Sequence, residues 1–146
     1  MNTTIKKELK DNGVLILTLN RPEVLNAMNK DMIMGLYEIF QEIEKEKDSR
    51  VIIITGEGRG FCSGADLANG GWPSEEGMSE GEIGANNMEI GFNPLIRLIT
   101  SIDKPVITAI NGMAAGGGVG LALSGDLVVA SESAKFKLVF GPNLGI

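Results

Sequence analysis

Two glycine-rich junctions carry the strongest chemical signals in this chain. In the first, the β-branched run Val51 to Thr55 leads through Gly56, Gly58 and Gly60 to Phe61-Cys62-Ser63-Gly64-Ala65-Asp66-Leu67. In the second, the apolar run Val106 to Ile110 ends in Asn111-Gly112. Gly116-Gly117-Gly118 then opens a small-residue helical segment, and a further apolar run follows Asp126. Glycine lets backbone and ligand approach closely. The first N–H groups of a helix have no partner inside it and can point at negative charge. Each junction therefore offers backbone donors to an anion. Together they could aim two N–H groups at one oxygen, which is the geometry of an oxyanion hole.

Nucleotide-phosphate motifs do not account for these glycines. A P-loop needs Gly-Lys-Ser/Thr after them, and that triplet is absent. A dinucleotide turn needs G-x-G-x-x-G; the pattern fails at Leu121 when counted from Gly116 and at Phe61 when counted from Gly56. Histidine is absent and cysteine occurs once. That removes Ser-His-Asp and Cys-His catalysis, and it leaves only carboxylates to hold a zinc ion, so no metal site is expected. Any chemistry must use carboxylates, hydroxyls, backbone dipoles or groups from outside this chain. A net charge of −6 speaks against nonspecific nucleic-acid binding. No apolar run reaches the ~18 residues that span a bilayer. The N-terminus MNTTIKKELKDNG has no apolar signal-peptide core. One cysteine allows no internal disulfide and fits a reducing cytoplasm.

Periodicity places strands and helices around the two junctions. Val14 to Leu19 reads as a strand closed by Asn20-Arg21-Pro22. Residues 29–47 read as an amphipathic helix capped by Asn29, with Met32, Leu36, Ile39/Phe40 and Ile43 on one face. Val51–Thr55, Val106–Ile110 and Leu127–Ala130 read as buried strands, and Lys135–Val139 as another. Residues 68–84, rich in Gly, Ser and Glu, read as a loop. Residues 85–101 read as a helix that carries Asn93-Pro94, where proline kinks it or starts its second half. Strands alternating with helices predict an α/β fold, in one domain spanning residues 1–146, with no sequence repeat.

The chain resembles the enoyl-CoA hydratase/isomerase (crotonase) family. The resemblance rests on Asn20-Arg21-Pro22 through Asn26-Ala27, on Phe61 through Leu67, and on Lys104-Pro105-Val106 through Asp126, in the family's order and spacing. It implies a superhelix of repeated ββα units. It implies acyl-CoA thioester substrates, with coenzyme A as part of the substrate and no separate cofactor. By motif position the catalytic groups are the backbone N–H groups of Ala65 and Gly117, which would hold the thioester oxygen. Val24, Ala27, Ser63, Asp66, Leu67, Met113 and Gly116 fall at substrate-binding positions. Removing a proton beside a thioester builds an enolate-like oxygen, and preorganised N–H donors stabilise that charge. The resemblance also implies a cytoplasmic enzyme of fatty acid metabolism that forms a homo-trimer or hexamer in full length, without nucleic-acid or membrane partners.

Hydratases of this family use two glutamates, and this chain has Gly120 and Phe140 at those positions. The pattern resembles instead the branch of 1,2-epoxyphenylacetyl-CoA isomerases and related double-bond isomerases, which lack both. Asn93-Pro94-Leu95-Ile96-Arg97, Ala114-Ala115-Gly116 and Phe140 fit that branch. Its acid–base aspartate follows a segment like Leu144-Gly145-Ile146, so the resemblance places that residue beyond Ile146. Full-length members are about twice as long, which implies an N-terminal half ending before the C-terminal helices. The expected function is double-bond or ring isomerisation rather than hydration. The alternative is a truncated, non-catalytic fragment that binds acyl-CoA or assembles with a partner. Other residues take blander readings: Cys62 as a small buried thiol, Asp66 as a turn-fixing residue, Asp126 as structural, and Glu75, Glu76, Glu80 and Glu82 as solvated charges. Trp72 and Met113 are expected at an acyl pocket or in the core. Arg21, Arg59 and Lys104 are candidate phosphate contacts.

Overall fold

A computed structural model describes residues 4–66 and 77–139. Strand β1 (Ile5–Leu9) turns back antiparallel onto β2 (Val14–Leu19). β2 then continues in parallel through β3 (Val51–Gly56), β5 (Val106–Ile110) and β7 (Leu127–Ala130), giving a five-stranded sheet in the order β1-β2-β3-β5-β7. Three short strands, β4 (Gly60–Cys62), β6 (Met113–Ala115) and β8 (Lys135–Lys137), form a second parallel sheet. The single bridge between Met28 and Ala65 extends that second layer towards the chain start.

The helices are α1 (Lys30–Lys45), α2 (Glu80–Asn87), α3 (Asn93–Ser101) and α4 (Gly117–Ala122). One unit therefore recurs: a long strand, a short strand or bridge, then helix. This is the superhelical ββα arrangement that the resemblance implies, and it recurs without a sequence repeat. What repeats is the alternation of pattern types, which many sequences can satisfy.

The first helix begins where expected, with the Asn29 side chain accepting from Met32 N at 3.0 Å. Its Met32, Leu36, Phe40 and Ile43 are buried in one core with Leu15, Leu17, Ile52, Ile54 and Ile99. Burial of each such side chain stabilises the fold by about 1.5–3 kcal/mol, so this core carries the sheet on which the two junctions sit. Lys104 closes the helix. Its Nζ donates to Ile43 O and Glu46 O at 2.7 Å each, and meets Glu46 Oε1 at 2.9 Å and Ser49 Oγ at 3.1 Å. Lys104 is thus a helix C-terminal anchor rather than a phosphate contact, because its ammonium donors are spent on the last carbonyls of α1.

Three expectations need correction. The strand β3 is not buried on both faces: Ile52 and Ile54 are buried, whereas Val51 and Ile53 are only half-buried, because the second face of the sheet is only partly shielded. The strands β7 and β8 are exposed, with Leu127 and Val129 each 60% accessible and Phe136 47%, because each is an edge strand that no described element covers; β8 also ends at Lys137, short of the expected Val139. Finally, the loop expected over residues 68–84 contains the start of α2. Ser79 and Glu82 form a capping box there, and the spacing S-x-x-E carries that signal in the sequence. The expected helix 85–101 is divided by a π-helical turn at Met88–Phe92, and Pro94 stands in the first turn of α3.

Candidate active site

Between Asn20 and Ala27 the chain makes a tight reversal in which Leu25 and Asn26 both take positive φ, 52° and 56°. Asparagine tolerates that conformation because its side chain hydrogen-bonds locally. Asn26 is fully buried. Its Oδ1 accepts from Arg21 N at 2.8 Å, and its Nδ2 donates to Glu57 O at 3.0 Å and Gly60 O at 2.9 Å. Asn111 supports the same turn from the other side, donating to Gly58 O at 2.9 Å and Gly60 O at 3.3 Å. Two asparagines from distant segments thus fix the loop that leads into β4. Sequence alone gives neither a role: Asn26 appears only within the Asn20 to Ala27 motif, and Asn111 only as the residue before Gly112.

Beyond β4 the chain passes Met28. Met28 N donates to Gly64 O at 2.7 Å, and Asp66 N donates to Met28 O at 3.0 Å. This pairing uses the peptide groups flanking Ala65 and turns Ala65 N–H to the opposite side. Gly64 adopts φ +102°, and a Cβ there would stand 2.9 Å from Ala115 O and 3.3 Å from Gly117 N. Only glycine allows this approach of the two junctions. A Cβ built on Gly117 would lie 3.9 Å from Ala65 N, 3.4 Å from Met28 Cε and 3.6 Å from Phe92 Cε1. The structure therefore brings Ala65 and Gly117 side by side. Neither N–H donates to an acceptor among the described residues.

The neighbouring Gly118 has a different reason to be glycine. A Cβ there would fall 2.2 Å from Cys62 O, so α4 packs directly on the β4 backbone. Cys62 is itself fully buried, and burial pushes its thiol up to about 12, against an opposing pull from the Gly64 backbone. It is a packing residue with no thiolate to offer near neutral pH.

An apolar cavity of about 350 Å³ opens beside Gly117. Met28, Met88, Phe92, Leu95, Val119 and Leu121 supply much of its wall, along with Gly116 and Gly120. No carboxylate lines it among the described residues. The π-helical turn contributes Met88 and Phe92, contacts that hydrophobic periodicity does not reveal.

The remaining expected positions are distributed as follows. Val24 O accepts from Ser63 Oγ at 3.1 Å, tying the Pro22–Val24 turn to the first junction. Ala27 is buried, and its carbonyl accepts from Arg21 Nη1 at 2.5 Å. Gly116 opens α4 and lines the cavity. Met113 is half-buried on β6, outside the cavity wall. Asp66 pairs with Arg21 Nη2 at 2.8 Å, both side chains largely shielded. That pair fixes the turn, as expected for Asp66. It removes Arg21 from the candidate phosphate contacts, since its guanidinium is committed to Asp66 and Ala27. Asp126 Oδ2 accepts from Val106 N at 2.8 Å, a structural role. Glu82 is exposed and its carboxyl is held below the usual range by Ser79 in the capping box. Leu67, Trp72, Glu75, Glu76, Phe140 and the Leu144–Ile146 segment lie outside the described residues. Among the described residues no cluster of acidic or thiol side chains could hold a metal ion, and no helix is long and apolar enough to cross a membrane.

Comparison with known proteins bears on the family and the fold. Residues 9–146 match the model of the enoyl-CoA hydratase/isomerase family. The chain is 44% identical to the 1,2-epoxyphenylacetyl-CoA isomerase of Escherichia coli, over 89% of its own length and 48% of that protein's. It is 38% identical to a probable enoyl-CoA hydratase of Rhodobacter capsulatus, over 94% of this chain and 49% of that protein. The crystal structure of an enoyl-CoA hydratase from Bacillus anthracis superposes with a TM-score of 0.84 at 32% identity, covering 98% of this chain and 53% of that one. The chain thus spans about half the length of these relatives.

Proposed function

The chain belongs to the enoyl-CoA hydratase/isomerase family, and from that premise we propose that it is the part of an acyl-CoA isomerase that holds the thioester carbonyl in a backbone oxyanion hole. The observation that carries this reading is the adjacency of Ala65 and Gly117, whose N–H groups have no described acceptors, with Gly117 on the wall of an apolar cavity. A carbonyl oxygen seated between them would accept both hydrogen bonds, and the acyl chain would lie against Met28 and Phe92. As a proton leaves the second acyl carbon, its electron pair moves onto this oxygen. The double bond then shifts towards the carbonyl, and a proton is delivered to the far carbon. Two preorganised donors stabilise the intermediate oxyanion; loss of one such donor typically costs ~10²–10³ in rate.

Isomerisation is favoured over hydration because Gly120 offers no carboxylate where the family's hydratases carry one. The cavity wall holds no other carboxylate among the described residues to activate a water. The group that moves the proton is therefore sought outside them. Coenzyme A enters as part of the substrate, and the reading needs no further cofactor. A non-catalytic role in binding or assembly is favoured by one observation, the uncovered β7 edge.

Infrared difference spectroscopy with a carbonyl-¹³C-labelled acyl-CoA tests the proposal. Binding should shift the carbonyl stretch to lower frequency, and Gly117→Ala should abolish the shift. An unshifted carbonyl on the bound ligand would overturn the assignment. Separately, formation of conjugated 2-enoyl-CoA from a 3-enoyl-CoA supports isomerisation, whereas hydration of 2-enoyl-CoA without it would reverse the preference.

A further inference from the structure

Glycine within a helix is less favourable than alanine, because it loses more backbone freedom on folding. Helix α4 nevertheless carries glycine at positions 117, 118 and 120. Two of these have a reason in the geometry already described. Gly118 packs on Cys62 O, and Gly117 keeps open the gap beside Ala65 N. Gly120 has neither reason: a Cβ there would meet nothing within 4 Å. Yet Gly120 lines the cavity. It is on the same helix face as Gly117, one turn further on, and roughly 4.5 Å along the helix axis from it.

An acyl group whose carbonyl oxygen is held at Gly117 would bring about its third or fourth carbon to that level. The other side chains around the space are bulky, including Phe92, Leu121 and Leu123. Gly120 is exposed, and its missing side chain leaves open space on the cavity wall. We infer that Gly120 determines acyl specificity, by leaving width for a ring or branch near the thioester carbonyl. This rests on the placement of the carbonyl at Ala65 and Gly117. It differs from the role of a carboxylate at this position, since what matters is the volume left empty.

Calorimetric titration of the 146-residue chain with phenylacetyl-CoA and butyryl-CoA tests the inference, using wild type, Gly120→Ala and Gly120→Val. Filling the space should weaken phenylacetyl-CoA binding progressively, by about 10- to 100-fold at valine, with butyryl-CoA changed less than about threefold. Thermal melts accompany the titrations. Gly120→Ala should melt no lower than wild type, and it keeps the test open if the valine variant fails to fold. Equal weakening of both ligands, or none, in folded variants would overturn the specificity role while leaving the carbonyl site intact. If wild type binds neither ligand, the functional reading fails and this inference falls with it.

Discussion

Adjacent glycines in α4 should respond to the same substitution in opposite ways. A methyl added at Gly117 meets Met28 Cε at 3.4 Å and Phe92 Cε1 at 3.6 Å, ordinary contact distances. The fold should accept it, and alanine's better helix propensity offsets part of any residual crowding. The same methyl stands 3.9 Å from Ala65 N. An oxygen accepting from Ala65 must sit at about 2.9 Å from that nitrogen, so a methyl this near the donor should crowd an oxygen held between Ala65 and Gly117. Forcing a group into filled space typically costs about 1–3 kcal/mol, or roughly 5- to 150-fold in affinity. Gly118→Ala places its methyl 2.2 Å from Cys62 O, a backbone atom that cannot rotate away. There the strain falls on folding: about 1–3 kcal/mol of stability, read as a Tm lower by roughly 4–12 °C. Calorimetric titration with butyryl-CoA, paired with thermal melts, measures both effects. Gly117→Ala should lose affinity with little change in Tm, and Gly118→Ala should lose Tm first. Wild-type affinity in Gly117→Ala, or matched losses of Tm in the two variants, would refute the division of roles.

Further outcomes follow from the same geometry. Hydration of crotonyl-CoA by this chain should be negligible, because Gly120 supplies no carboxylate; robust turnover, followed by loss of the enoyl absorbance, would redirect attention to groups outside the described residues. Glu46 is held at about 2 rather than 4.5, chiefly by hydrogen bonds from Ser49 and then Lys104. A lowered carboxyl stabilises the fold above its ordinary value, and that contribution is lost as pH falls from 4.5 towards 2. Ser49→Ala or Lys104→Met should flatten the pH dependence of unfolding in that window, measured by denaturant titration at stepped pH. The uncovered Leu127, Val129 and Leu138, 60–70% accessible, should make the isolated chain self-associate and bind a hydrophobic dye; Val129→Lys should reduce both in sedimentation and fluorescence, and a dye-silent monomer would count against this.

The α1 boundaries were legible because an asparagine cap and a periodic apolar face agree there. The same holds for the glycine junctions, where residue type limits what the backbone can do. Burial of β7 was not legible. Leu127–Ala130 has the composition of a central strand, and whether an edge strand is covered depends on what packs beside it, which its own residues do not encode. The π-helical turn was hidden for a related reason. Met88 and Phe92 sit four apart and look helical by spacing, and the extra residue in the turn leaves no mark on that spacing. Asn26 and Asn111 were visible only as motif letters; their convergence on the Gly60 carbonyl is a long-range contact. Lys104 and Arg21 misled because a cation in a ligand-binding chain suggests phosphate, whereas both are consumed by carbonyl and carboxylate partners nearby.

In the proposed function, Ala65 and Gly117 share one thioester oxygen. A crystal structure of the chain with bound butyryl-CoA, an unreactive saturated thioester, tests it most directly. The carbonyl oxygen should lie within about 3 Å of both backbone nitrogens, with both N–H vectors aimed at it. A carbonyl oxygen bonded to neither nitrogen, or nitrogens too divergent to reach a common oxygen, would contradict it.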